Sequence, residues 1–231
     1  MKDIHVFDEN SQLLIASVPE RGSAVDVLVS REDRVLKDLK KGSRIGTSSL
    51  LRVAQLRRAR PDLNPEPIRG NVETRIQKVD NGEFDAVVLA EAGLARLGIT
   101  GRISEQLSLE DFMPAPGQGA LAVVARRDNL KVIDILRSIE HPPTRAEIEA
   151  ERELVRILEG GCKVPVGALA RAHGDQIKIA CSIFSIDGKE KLLAERSGRV
   201  QEGVVLAREM GGELIQRGAK KIEETWRTVY V

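Results

Sequence analysis

Three features of this chain could do chemistry: a cysteine on a turn, two polar helix starts and a surplus of arginine. Cys162 lies in Glu159-Gly160-Gly161-Cys162-Lys163-Val164-Pro165-Val166-Gly167, where two glycines break a long helical pattern ahead of an apolar run. A thiol on such a turn is accessible, and its thiolate is a nucleophile. A small residue that merely fits a helix C-cap would look the same. Cys181 is different: it falls in the alternating run Ile177 to Phe184 and reads as a buried strand residue.

Arg44-Ile45-Gly46-Thr47-Ser48-Ser49 gathers three hydroxyls at a predicted helix start, with Arg52 a turn into that helix. Free backbone N–H groups at such a terminus attract anions; plain N-capping is the simpler use of the same residues. Ile68-Arg69-Gly70-Asn71-Val72-Glu73-Thr74-Arg75 repeats the arrangement. There Asn71 is the cap, Gly70 lets the backbone approach a ligand, and Arg69 and Arg75 flank the start. Arg outnumbers Lys 24 to 12, and Lys78 is the single lysine between Arg44 and Arg102. Guanidinium groups bind carboxylates through two parallel bonds, so an Arg-lined cleft for a polycarboxylate is one reading. A general bias toward arginine, leaving solvated surface side chains, is the other.

Several chemistries are excluded. Gly117-Gln118-Gly119-Ala120-Leu121-Ala122 matches a dinucleotide fingerprint by letter, but it follows a Pro-rich loop and opens an apolar strand, the reverse of what that site needs. No phosphate-binding P-loop pattern occurs, and the histidines, His5, His141 and His173, are scattered, so no metal site is expected. A net charge of +1 argues against nucleic acid or an anionic membrane as partner. The start Met1-Lys2-Asp3 is charged and no apolar leader follows, the apolar runs are too short to span a bilayer, and two cysteines make no disulfide framework. The expectation is a cytoplasmic monomer. With 42% hydrophobic residues but one Trp, one Tyr and four Phe, the core must be aliphatic.

The elements that must position these residues follow from periodicity and punctuation. Strands are predicted over 13–18 and 24–30, and a helix over 50–60 that stops before Pro61. Val72, Ile76 and Val79 share a helical face ended by Asn81-Gly82. Asp85 to Ala90 reads as a strand buried on both faces, with a short helix after it closing at Gly98. This alternation predicts βαβ units. Pro114 to Gly119 reads as a hinge, 120–125 as a strand and 130–139 as a helix. His141-Pro142-Pro143 reads as a linker, and Thr144-Arg145-Ala146-Glu147 as a capping box opening a helix to Leu158. Three strands over 164–170, 177–184 and 192–199, then a helix over 202–216, make a separate α+β unit.

Taken in order, these stretches resemble the porphobilinogen deaminases (hydroxymethylbilane synthases). The matching segments are Met1-Lys2-Asp3, Pro19-Glu20-Arg21, Gly46-Thr47-Ser48-Ser49-Leu50, Arg69-Gly70-Asn71-Val72, Gly82 to Ala86, Ala92-Gly93-Leu94 with Arg96-Leu97-Gly98, Pro114 to Ala120, and Glu151-Arg152 with Leu158 to Gly167. The resemblance implies a transferase of tetrapyrrole (haem) biosynthesis that condenses four porphobilinogen molecules into hydroxymethylbilane with release of ammonia. It implies that Cys162 carries a covalent dipyrromethane cofactor and that Asp3 is the catalytic carboxylate. Lys2, Thr47, Ser48, Ser49 and Arg52 would bind the cofactor; Arg69, Arg75 and Arg96 would hold acetate and propionate groups of the substrate.

The fold implied is α/β, with periplasmic-binding-protein-like domains of mixed, mainly parallel sheets and a C-terminal α+β domain. Residues 1–20 and 120–139 would represent domain 1, 21–119 domain 2, and 142–231 domain 3. Two departures from the family pattern stand out. Leu51 occupies a position where the family has a first arginine before Arg52. Family members also carry roughly another quarter of their length ahead of the segment matching Met1. A truncated, catalytically inactive anion-binding or interaction protein that keeps domains 2 and 3 is the alternative.

Overall fold

The computed structural model describes residues 12–159 and 165–227. Its centre is a five-stranded sheet in the order β4-β3-β5-β2-β6, built from β2 (Asp26–Ser30), β3 (Arg44–Gly46), β4 (Asn64–Glu66), β5 (Ala86–Ala90) and β6 (Glu105–Gln106). The sheet is mixed. β3 runs parallel to β4 and β5, as the βαβ alternation requires, while β2 is antiparallel to β5 and β6. The crossovers are α1 (Leu50–Ala59) and α2 (Val72–Asp80), and α3 (Glu91–Leu97) follows β5.

The apolar run in β5 is explained by burial on both faces. Ala86 and Val88 join Leu28, Ile45, Leu56 and Phe112 on one side; Val87 and Leu89 join Val27, Ile68, Ile76 and Leu94 on the other. Each Val, Leu, Ile or Phe side chain so removed from water contributes about 1.5–3 kcal/mol.

The C-terminal unit is an antiparallel sheet, β10-β9-β8, from β8 (Val166–His173), β9 (Gln176–Phe184) and β10 (Lys191–Arg199). Its core-facing residues Ile177, Ile179, Cys181 and Ile183 pack against α5 (Pro142–Glu159) and α6 (Gly203–Gln216) through Ala150, Leu154, Ala207, Met210 and Leu214. A last helix, α7 (Ala219–Arg227), lies beyond the elements predicted; its Trp226 donates Nε1–H to the Phe184 carbonyl at 2.8 Å. A two-stranded antiparallel ribbon, β1 (Leu13–Ser17) with β7 (Val123–Arg126), carries α4 (Leu130–Leu136) beside it. No described helix is long and apolar enough to cross a membrane.

Two boundaries differ from expectation. α5 begins at Pro142, within the stretch read as a linker. Proline suits the first helical positions, where no N–H is needed. The cap is therefore His141, whose Nδ1 accepts from the Thr144 N–H at 3.3 Å. Thr144 bonds instead to the Arg21 N–H, and Glu147 to the Ala172 N–H. β7 starts three residues later than predicted, because Gly119 packs against the 22–23 segment and the pairing with β1 begins only at Val123.

Candidate functional site: helix starts and arginines at one sheet edge

Because β3, β4 and β5 are parallel, the helices that follow them start at the same carboxyl edge of the sheet. Ligands of open α/β sheets bind at such an edge. Ser49 caps α1, its Oγ accepting from the Arg52 N–H at 3.4 Å. Ser48 reaches the neighbouring loop: its Oγ donates to the Ile68 carbonyl at 2.7 Å and accepts from the Ile68 N–H. Thr47 is buried, and its hydroxyl accepts from the Ser49 N–H. Hence Ser48 is spent holding two loops in register, while the Thr47 and Ser49 hydroxyl protons and the Leu50 and Leu51 N–H groups at the start of α1 point to no acceptor among the described residues.

The start of α2 is built by Asn71, whose Oδ1 accepts from both the N–H and the hydroxyl of Thr74 at 2.8 Å. Gly70 has φ +114, and a Cβ there would fall 2.7 Å from Thr74, so glycine is required for this turn. Arg75 folds back to donate Nε–H to the Gly70 carbonyl at 2.8 Å. Arg75 is half-buried, and burial, with the nearby charge of Arg52, pushes its guanidinium below the ordinary value. Arg69 and Arg96 are exposed, and Arg96 donates to the Gly119 carbonyl at 2.7 Å. None of these three has a carboxylate partner among the described residues, whereas Arg21, Arg44, Arg60, Arg102 and Arg145 all do.

Arg52 is engaged internally. Its Nε and Nη2 donate to the two Asp26 oxygens at 3.0 and 2.6 Å, and Nη1 donates to the Val88 carbonyl at 3.0 Å. Gln118 completes the cluster, donating Nε2–H to Asp26 Oδ1 at 2.7 Å and to the Ala24 carbonyl at 2.6 Å. Leu51 is buried too, against Ala54, Phe184 and Trp226. An arginine at position 51 in this arrangement would have to enter an apolar contact between α1 and the C-terminal unit, which accounts for leucine there.

Comparison with known proteins bears on this edge. Residues 1–134 match the family model described as porphobilinogen deaminase, dipyrromethane cofactor binding domain, and residues 145–216 match porphobilinogen deaminase, C-terminal domain. The chain belongs to the porphobilinogen deaminase family. It is 43% identical over 228 residues to a probable porphobilinogen deaminase of Nitrosopumilus maritimus, covering 98% of this chain and 72% of that one. It is 45% identical over 210 residues to the porphobilinogen deaminase of Desulforudis audaxviator, covering 91% and 68%. Among solved structures, a putative methionine-binding lipoprotein of Bacillus subtilis overlaps 56% of this chain and 62% of its own at a TM-score of 0.39 and 16% identity, too loosely to bear on fold or function.

Of the residues that the family pattern singles out, the structure brings Thr47, Ser48, Ser49, Arg52, Arg69 and Arg75 to one edge, with Arg96 on α3 reaching the Gly119 carbonyl. Lys2, Asp3 and Cys162 lie outside the described residues. Cys181 is fully buried, and that burial pushes its thiol far up.

Sequence reading missed Asp26, Gln118 and a second buried cluster. In that cluster Arg21 donates to Glu151 at 2.6 and 3.2 Å, and Glu151 also accepts from the Gly117 and Ala170 N–H groups at 2.6 and 2.8 Å. Burial pushes the Glu151 carboxyl up, and Arg21 pulls it back. Signals existed. Asp26 interrupts the apolar run Ala24 to Val29, and Glu147 and Glu151 fall on the apolar face of α5 with Ile148 and Leu154. A charge on a face that must be buried announces a partner from elsewhere in the chain.

Proposed function

We propose that this chain is a transferase of tetrapyrrole biosynthesis that joins porphobilinogen units head to tail into hydroxymethylbilane, starting on a dipyrromethane attached to Cys162. The carrying observation is the set of arginines without carboxylate partners, Arg69, Arg75 and Arg96, beside helix starts with free donors. A half-buried cation with a second cation near it favours an anion brought from outside. Pyrrole units bearing acetate and propionate groups present such anions, so the residues fit the cofactor. Thr47, Ser49 and the first N–H groups of α1 would hold one carboxylate; Arg75 and Arg69 would take others; Arg96 would meet those of the growing chain. Arg52 would act through Asp26 and Gln118, keeping β2, β5 and the 113–119 segment aligned beneath the site.

When bound, the dipyrromethane supplies the free pyrrole carbon from which the product is extended. For each porphobilinogen joined, the overall reaction would exchange its carbon–nitrogen bond for a carbon–carbon bond, the displaced pyrrole hydrogen leaving as part of the ammonia. The Asp3 carboxylate would accept from pyrrole N–H groups and stabilise the positive charge that develops on the rings. Domains at 21–119 and 142–231 belong to this proposal, with a third unit formed by 1–20 and 120–139. Support comes from the five-stranded and three-stranded sheets, which fall wholly within 26–106 and 166–199. The cytoplasm is the proposed compartment, consistent with the free thiol of Cys181.

Intact-mass measurement and peptide mapping test the reading. Two pyrrole units on Cys162, lost in Cys162→Ser and kept in Cys181→Ser, with porphobilinogen consumed only by the loaded protein, are expected. An adduct on Cys181, or full activity of Cys162→Ser, would refute it.

A further inference from the structure

A cleft of about 510 Å³ opens at the last turn of α1, between that helix and the turn that joins β9 to β10. Clefts of this size hold small molecules. α1 has ten residues and so rises about 15 Å, which sets the cleft well apart from the Ser49 cap at the other end of the helix. Its walls are pinned to each other. Gly188 has φ +74, and a Cβ there would fall 2.5 Å from the Ala54 carbonyl oxygen. Arg57 donates Nη1–H to the Ile186 carbonyl at 2.8 Å, and Arg58 donates from Nη1 to the Gly188 and Lys189 carbonyls at 3.4 and 3.3 Å. The cleft is therefore preformed, not a gap between loosely placed parts.

Its lining leaves polar groups of both kinds unanswered. Gln55 is fully buried; its Nε2–H donates to the Met113 carbonyl at 2.8 Å, while its Oε1 has no donor among the described residues. Turning the amide over would set Oε1 against that carbonyl, so the orphan is the acceptor. A buried carbonyl oxygen without a donor is costly, and a ligand N–H would relieve it. The Asp111 carboxylate accepts from the Ser108 hydroxyl at 3.2 Å and has no cationic partner among the described residues. Arg57 and Arg58 hold carbonyls but no carboxylate there. Lys189 and Asp187, also in the lining, answer each other at 3.6 Å. A simple anion would leave Gln55 and Asp111 unmet, and a simple cation would meet two guanidinium groups. We propose that this cleft binds a small zwitterion, a molecule with an amino group and a carboxylate. Its ammonium would donate to Gln55 Oε1 and Asp111, and its carboxylate would accept from the N–H groups of Arg57 and Arg58 that the carbonyls leave free. Because α1 belongs to the five-stranded unit and Gly188 to the C-terminal one, the ligand would bridge the two. The inference is independent of the chemistry proposed for the sheet edge.

Saturation-transfer NMR on the full chain tests this with straight-chain ω-amino acids from glycine to γ-aminobutyrate, and with butyrate and butylamine as probes that each lack one charge. At least one of the amino acids should bind, with butyrate and butylamine about tenfold weaker or more, and hydrogen exchange should slow in 185–190. Asp111→Asn and Arg58→Gln should each weaken binding about tenfold, as for one lost charge-assisted bond, while Arg75→Leu at the sheet edge should leave it unchanged. Asp111 is exposed, so its variant should keep the exchange protection of Ile177 to Phe184, showing that the fold is intact. The proposal is overturned if none of the amino acids binds, or if a single-charge probe binds as tightly. Binding that survives both Asp111→Asn and Arg58→Gln, or that is lost in Arg75→Leu, overturns it too.

Discussion

Replacing Asp26 by Asn should be among the costliest single changes in the molecule. The carboxylate lies at the start of β2, with its side chain 1% exposed and that of Arg52 8% exposed. Both oxygens are used: Oδ2 by Arg52 Nε, Oδ1 by Arg52 Nη2 and Gln118 Nε2. Asparagine keeps the shape but removes the charge, leaving a buried guanidinium with only the Val88 carbonyl, Gln118 and a neutral amide around it. Breaking one side of a buried pair costs about 3–5 kcal/mol. For a chain of this length about 2–4 °C of Tm accompanies each kcal/mol, so a fall of about 6–20 °C is expected. Replacing both partners, Asp26→Leu with Arg52→Met, should recover part of the loss, because no unpaired charge remains. Denaturant unfolding of the two single variants and the double variant gives the coupling. If Asp26→Asn unfolds within about 1 kcal/mol of the parent, Arg52 is not the buried strut described here, and its guanidinium is free to serve as a direct anion ligand.

Three further outcomes are expected. Arg75→Leu should cut turnover at least about tenfold, since a charge-assisted bond is worth about 1.5–3 kcal/mol, whereas Arg217→Leu at an exposed pair should change it little; equal effects would count against the carboxylate site. Gly119→Ala should destabilise by about 2 kcal/mol or more in denaturant unfolding, because φ is +81 and the new Cβ would lie 2.4 Å from the Ser23 carbonyl; an alanine variant as stable as the parent would show that the 22–23 and 117–119 segments do not cross so closely. Arg156, with Arg208 behind it, holds the Glu153 carboxyl down at about 2. A depressed folded value means that this contribution is present above about pH 4.5 and is lost as pH falls toward 2. The stability gap between parent and Glu153→Gln should therefore close over that window in pH-dependent thermal unfolding, and a constant gap would contradict it.

Local pattern carried much of the molecule. The double-sided apolar run of β5, a serine cap at 48 or 49, the Asn71 cap, the glycine at position 70 and the strand character of Cys181 each depend on neighbours within a few residues, so they were legible from the chain itself; that Ser49 and not Ser48 is the cap was decided by the Ile68 loop, which takes Ser48. The arginines at positions 69 and 75 were legible for the same reason, since they flank a helix start defined by local punctuation. Tertiary structure decided what those side chains are free to do. Arg52 looks like Arg75 in the sequence, one turn into a capped helix. It is consumed because β2, 26 residues away, brings Asp26 beneath it and the 113–119 segment brings Gln118. Position 51 became apolar because α1 meets Phe184 and Trp226 of a unit more than 130 residues distant. Likewise Glu151 is buried because Arg21 and two backbone N–H groups, from three separate segments, converge on it. Such pairings cost little in sequence, one charge on an apolar face, and their partners are chosen only when the chain closes over long distances.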